Sequence, residues 1–223
     1  MKASPQTIFA KTKKVLDTYP QFHAILGMRE VQRPLLTWQD IFEERNKMAR
    51  IWVSSDQHYN HANIIPYCAR PFASVDAMNK FMHDAVCRLV APDDIVYNVG
   101  DFMLYGGTYD RLASEAWDMH RLLDMPGRHI FIMGNHDRGR SREPRLKEAI
   151  LDAFGMQFRL VHHPAEAPKD GRYNLTGHVH GAWLEYRNEH GALCYNVGVD
   201  MHRFEPVLLE TLAKYFRKLK EKA

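Results

Sequence analysis

The chain has 223 residues, 45% of them apolar and 26% charged, with 30 basic against 27 acidic side chains. These are the proportions of one globular domain with a full core, and they exclude disordered and collagen-like chains. No run approaches 18 apolar residues, Met1-Lys2 opens no apolar leader, and Cys68, Cys87 and Cys194 form no C-x-x-C pair. A cytoplasmic protein without a membrane span or disulfide framework is therefore expected.

Taken in order, residues 5–17 read as a helix with Ile8, Phe9, Val15 and Leu16 on one face, and a second short helix starts at Thr37. Residues 1–48 carry no catalytic spacing and read as a helical appendage packed on the domain or on a partner. Arg50–Val53 is the first strand of a domain spanning 49–223. Helix and strand then alternate: a helix over 75–90, a strand over 94–99, a helix over 109–123 and a strand over 129–133. A helix over 146–154 and a strand over 157–161 follow, then strands over 172–176, 182–187 and 192–197. A last helix runs from about Pro206, with Leu208, Leu212, Phe216 and Leu219 as its apolar stripe. Alternation first and hairpins last predict two packed sheets flanked by helices.

Polar clusters follow the strands. Asp56-Gln57-His58 ends the first, Gly100-Asp101 the second and Gly134-Asn135-His136-Asp137 the third; His162-His163 and Gly177-His178-Val179-His180 come later. Alternate residues of an extended segment point the same way, so Asp56/His58 and His178/His180 can each offer two ligands to one site. Taken singly, each pair reads as a turn or a cap. Together they supply carboxylates, an amide and imidazoles, a set that suits Mn²⁺, Fe or Zn²⁺ better than Mg²⁺ or Ca²⁺. Seven candidate ligands are too many for one tetrahedral ion and fit two. Imidazole ligands must be neutral, so metal affinity is expected to fall below about pH 6. The net-acidic middle of the chain suits such a cation site.

In order and type these residues resemble the calcineurin-like metallophosphoesterases, whose motifs run D-x-H, G-D, G-N-H-D/E, H, G-H-x-H. The likeness covers roughly residues 50–205 and is closest to the small prokaryotic and phage phosphoesterases, through Arg70-Pro71-Phe72 and Asn196–Asp200. It implies a four-layer α/β/β/α sandwich and two divalent transition metals, Mn²⁺ first, with Fe, Zn²⁺ or Ni²⁺ as alternatives. By the resemblance Asp56, His58 and His180 hold one ion, Asp101 bridges, and Asn135, His162 and His178 complete the second site. His136 faces the scissile phosphate and protonates or stabilises the leaving oxygen, while a metal-bridging hydroxide attacks phosphorus. His162 rather than His163 is the ligand, because the family's His-aromatic-Pro pattern sets it two residues before Pro164.

Arg70, His61 and Arg138 are the candidates for gripping the phosphate. The loop Phe102-Met103-Leu104-Tyr105 lacks the arginine of the phosphoprotein phosphatases, and its apolar surface is expected to receive the second substituent of a diester. The expected activity is hydrolysis of a phosphodiester derived from a nucleotide or nucleic acid. The alternatives are a phosphomonoesterase of a small metabolite, a non-catalytic metal-stabilised interaction module, or a nucleic-acid-binding module. No membrane partner is expected; oligomers would form through the appendage.

Overall fold

Strand β1 (Ile51–Ser54) is a short apolar run, buried over Trp52–Ser54, and the first sheet is built around it. The computed structural model describes residues 49–104, 124–137 and 145–221. The helices predicted over 5–17, from Thr37 and over 109–123 lie outside them, as does the 1–48 appendage. Strands β2 (Ile95–Val99), β3 (Arg128–Ile132) and β4 (Arg145–Leu146) continue from β1 as parallel neighbours. Asp94 buckles the start of β2 to β1: its carboxylate accepts from Arg50 N, Trp52 Nε1 and Ala91 N at 2.8–2.9 Å.

A second sheet has the order β5-β6-β7-β9-β8, from β5 (Glu148–Ala153), β6 (Met156–Val161), β7 (Tyr173–Thr176), β8 (Glu185–Arg187) and β9 (Leu193–Asn196). Its three central strands are mutually parallel, and β5 and β8 run antiparallel at the edges. Pleating sends alternate side chains of the first sheet to opposite faces. Val53, Val99 and Ile132 meet Phe158, Leu160 and Leu175 of the second sheet. Leu212 and Phe216 of helix α3 (Leu209–Glu221) join that cluster. Trp52, Val96 and Phe131 face the other way onto Met78, Met82 and Val86 of helix α2 (Val75–Leu89). Ser74 caps α2 by accepting from Ala77 N at 3.1 Å, a bond worth about 1 kcal/mol. Among the described residues a further helix, α1 (Ile64–Tyr67), is a single turn.

The described residues are thus a mixed α/β fold with two five-stranded sheets. On the far face of the second sheet, Val161, Ala167, Ala192 and Cys194 pack with Trp183, under a 3₁₀ turn at Pro164–Glu166.

Two sequence expectations are corrected. Residues 146–154 are not a helix: they form the strand pieces β4 and β5, and β5 pairs with β6 from Glu148↔Val161 to Ala153↔Met156. The joining residues Phe154 and Gly155 have φ of 56° and 71°, the two positive values of a type I′ hairpin turn. The last helix does not start at Pro206. Val207 and Leu208 first pair with Val53 and Trp52 as β10 (Val207–Leu208), antiparallel to β1.

Candidate metal centre

Because β1, β2 and β3 are parallel, their carboxyl ends share one edge, and so do those of β6, β7 and β9. Backbone bonds sew the two edges together: Ser55 N donates to Val197 O at 3.1 Å and Val199 N to Ser55 O at 3.0 Å. Within the first sheet, Asp56 N donates to Gly100 O and His58 N to Asp101 O. All the polar clusters named from the sequence therefore leave their strands along this joined rim, where ligands bind in open α/β sheets.

Asp56, His58 and His180 bring ligand atoms within 4.8 Å of one another, and so do Asp56, Asp101 and His162. Asp101 Oδ2 stands between the two groups, 3.7 Å from His58 Nε2 and 3.3 Å from His162 Nε2. Asn135 Oδ1 lies 3.1 Å from His162 Nε2 and 2.8 Å from His178 Nδ1. The seven predicted ligands are brought together. His58 Nε2 is buried with no hydrogen-bond partner, and an orphaned imidazole nitrogen facing a carboxylate is what a cation would satisfy. The donor set of imidazole, carboxylate and amide oxygen fits divalent transition metals.

The imidazoles are aimed from behind. His162 Nδ1 donates to Val99 O at 2.8 Å and His180 Nδ1 to Asp200 Oδ2 at 2.9 Å, so each presents Nε2 to the site. His163 does not compete: its Nδ1 accepts from Ala165 N at 3.1 Å and caps the turn that follows.

Burial raises the Asp56 carboxyl above its ordinary value, against the pull of His162 and His180. Burial holds His58 well below an ordinary histidine despite Asp101, and it brings His178 to about 4, helped by His163 and His162. Burial also opposes charge on His162, but the Asp101 hydrogen bond and the Asp56 carboxylate overcome it and lift His162 to about 9. The same pairing overrides burial to hold Asp101 at about 2. His162 and Asp101 thus favour each other's charged forms.

The backbone is strained where the candidate ligands sit. Asp56, His58, Asp101, His178 and His180 all have φ between 49° and 75°. A non-glycine residue there costs about 1 kcal/mol or more, and such strain gathers at functional sites. Two glycines allow the close approach. A Cβ on Gly134 would lie 2.1 Å from Asp101 Oδ1, and one on Gly177 would lie 1.9 Å from Ser55 Oγ and 2.4 Å from Asp56 Oδ2.

Sequence reasoning gave no role to the residues that hold this rim. Asp137 Oδ2 accepts from Asp101 N and Gly134 N, both at 2.8 Å, and a buried ion pair of 2.6 Å ties Asp137 to Arg145. Asn196 Nδ2 donates to His180 O and Trp183 O at 2.7 and 2.9 Å, fixing the last ligand loop. The signal for Asp137 lay in the fourth residue of Gly134–Asp137, an acid directly beside two ligand loops.

Of the phosphate-gripping candidates, Arg70 is placed elsewhere. Its guanidinium is fully buried and donates to Asp56 O, Gln57 O and both oxygens of Asp200 at 2.7–2.9 Å. It is a bolt beneath the first ligand loop, with no donor facing outward. His61 lies in the site, its Nδ1 3.3 Å from His58 Nδ1. His136 is exposed at the rim, its backbone N–H held by Asp101 Oδ1 at 2.8 Å and its ring 5.4 Å from that of His58. Arg138 lies outside the described residues. The loop after Asp101 also departs from expectation: Phe102 and Met103 are 2% and 8% exposed, and Phe102 packs on Tyr59 and Phe131. Phe102 and Met103 thus offer no surface to a substrate substituent, Leu104 is half-buried, and Tyr105 lies outside the described residues.

No protein-family model matches the chain. An uncharacterized protein of Methanocaldococcus jannaschii is 34% identical over 181 residues, which are 77% of this chain and 93% of that protein. The gene 66 protein of Mycobacterium phage D29 is 34% identical over 130 residues, and the match covers 56% of this chain and 59% of that one. Among solved structures, a protein of unknown function from Aquifex aeolicus superposes at a TM-score of 0.56 with 23% identity, over 75% of this chain and all of that one. A predicted phosphoesterase of Streptococcus pneumoniae is a more distant neighbour, with 17% identity over 68% of this chain and 74% of its own, at a TM-score of 0.33.

Proposed function

We propose that the chain, which belongs to one family with the Methanocaldococcus jannaschii protein, is a calcineurin-like metallophosphoesterase and a two-metal hydrolase of phosphodiesters. The observation that carries the reading is Asp101 Oδ2, set between one imidazole of each ligand group. One ion would be held by Asp56, His58 and His180, a second by Asn135, His162 and His178, with Asp101 shared. Mn²⁺ suits this mixed set first, with Fe, Zn²⁺ or Ni²⁺ as alternatives. Such ions, when bound, supply Lewis-acid charge neutralisation and lower the pKa of water.

The chain's own contributions are positional. His136 stands exposed at the rim with its backbone pinned to Asp101, so its ring can donate a hydrogen bond or proton to the departing oxygen. His61, beside His58, is a second donor toward a non-bridging oxygen. Arg70 and Asp200 act beneath, holding the Asp56–His58 loop and the His180 tautomer.

A diester is favoured over a monoester on charge. A monoester dianion carries an extra charge that phosphatases meet with arginine forks. Among the described residues, the guanidinium of Arg70 is spent on Asp200 and backbone carbonyls, and Arg145 is paired with Asp137. The test compares kcat/KM for bis-p-nitrophenyl phosphate and p-nitrophenyl phosphate with Mn²⁺ at matched pH, alongside elemental analysis. Two ions per chain and a higher diester value are expected. A clear monoester preference, or one ion per chain with all ligands intact, overturns the reading.

A further inference from the structure

Phe102 and Met103, expected to offer an apolar surface after Asp101, are buried in the core, yet a different apolar surface adjoins the metal centre. A groove of about 350 Å³ runs from His163 and Val179 to Trp183 and Tyr186, over Pro164 and Ala165. It begins beside the candidate ligands, at residues adjoining them in the chain. The His163 ring lies 4.2 Å from that of His178, and Val179 sits between His178 and His180. Its aromatic wall is a pair of near-parallel rings, Trp183 and Tyr186, 5.3 Å apart at 27°.

The wall is built rather than incidental. Trp183 rests on the buried cluster of Val161, Ala167, Ala192 and Cys194, while Tyr186 stays 51% exposed. The Trp183 carbonyl shares the Asn196 amide with the His180 carbonyl, so wall and ligand loop are fixed to one side chain. Buried Asn188 joins the floor to the hairpin beyond it, donating to Pro164 O at 2.8 Å and Ala167 O at 2.7 Å and accepting from Ala192 N at 2.9 Å. Among the described residues its lining is apolar and aromatic apart from His163, Asn188 and Glu189.

We infer that this groove is a specificity site that stacks the nucleobase of a phosphate ester held at the metal centre, with Tyr186 as the exposed platform and Trp183 beneath it. The inference rests on the phosphodiesterase reading and narrows its substrate to nucleoside esters. Base stacking on an aromatic ring is sequence-tolerant and strong enough to set preference. A flat base also gains from a rigid, partly buried platform that loses little freedom on binding.

The test uses full-length protein with Mn²⁺ and two diesters that share a leaving group, thymidine 5′-p-nitrophenyl phosphate and methyl p-nitrophenyl phosphate. The wild type should prefer the nucleoside ester in kcat/KM. Tyr186→Ala, an exposed edge-strand change, should lower that preference about 5- to 150-fold, the loss typical of a truncated stacking partner, with the methyl ester unchanged. Tyr186→Phe, which keeps the ring, should retain it. Equal turnover of both esters by the wild type, or a preference that survives Tyr186→Ala, overturns the inference.

Calorimetric binding of adenosine 5′-monophosphate against inorganic phosphate separates the two readings. If neither ester is hydrolysed but the nucleotide binds more tightly than phosphate, and Tyr186→Ala removes the difference, the groove assignment stands and the diesterase reading falls. If nucleotide and phosphate bind alike, the groove assignment falls whatever the turnover.

Discussion

At the scale of single residues, two histidines that look alike in the sequence separate by what their nitrogens touch. His162→Ala should lose one ion per chain, because its Nε2 faces Asp101 and Asn135. His163→Ala should keep both ions and lose about 1 kcal/mol of stability with its cap on the Pro164 turn. His136→Ala should fold and bind metal normally, while turnover drops on the order of 10²–10⁴-fold. Metal analysis beside kcat decides all three, and loss of an ion from His163→Ala alone would reverse the assignment. The pH window also moves. The sequence places the fall in metal affinity below about pH 6, the range of an ordinary histidine. His162 at about 9 must instead give up its Nε2 proton to bind an ion. Apparent affinity should therefore rise about tenfold per pH unit through neutrality and level off only near 9. Mn²⁺ titrations in buffers of different ionisation enthalpy should show about one proton released per chain at pH 7, and none would refute a charged His162. That these side chains would gather was legible because hard and borderline donors recur after each strand. The second layer was not, since Asp137, Asn196 and the burial of Arg70 depend on contacts across 8 to 130 positions of chain.

Elements were legible wherever a run stayed apolar. Strands β1, β2, β3, β6, β7 and β9 and helix α2 fall within a residue or two of expectation, and β8 is a shorter form of the strand predicted over 182–187. The failure over 146–154 has a local cause. Ala149, Leu151 and Ala153 alternate inward with Glu148, Ile150 and Asp152 outward, but Ile150, Leu151 and Phe154 also fit a helical stripe. What decides it is the Phe154-Gly155 turn, where an aromatic takes the positive φ that Asn or Asp usually signals. Asp94 is a sharper test at this scale, since one carboxylate joins β1 to β2. Burial alone would raise its pKa, but the Ala91 N–H, Arg50 and Trp52 hold it at about 2. Its folded value is depressed, so its contribution of about 2 kcal/mol is present above pH 4 and is lost as pH falls from about 4 toward 2. Asp94→Asn should cost about that much at pH 7 and flatten the acid limb of the stability curve. Urea midpoints at pH 7 and pH 3 measure both effects.

For the molecule as a whole, the alternation of helix and strand followed by hairpins announced two sheets, and the motif order announced that their ends meet. What no local pattern contains is how the rims are fastened. The junction is main chain: Ser55 N to Val197 O and Val199 N to Ser55 O, at 3.1 and 3.0 Å. In the language of hydrogen exchange, these amides sit at the boundary of two potential cooperative units and weld them into one. Their protons should exchange with solvent only when the entire fold opens, with the same opening free energy as Val53 or Leu175 in the core. A markedly lower value at Ser55 or Val199 would mean that the sheets part before they melt. If the weld holds, no partly open state exists in which the ligand loops drift apart on an intact scaffold. Thermal inactivation should then follow the global unfolding rate, with metal lost at that moment and not before.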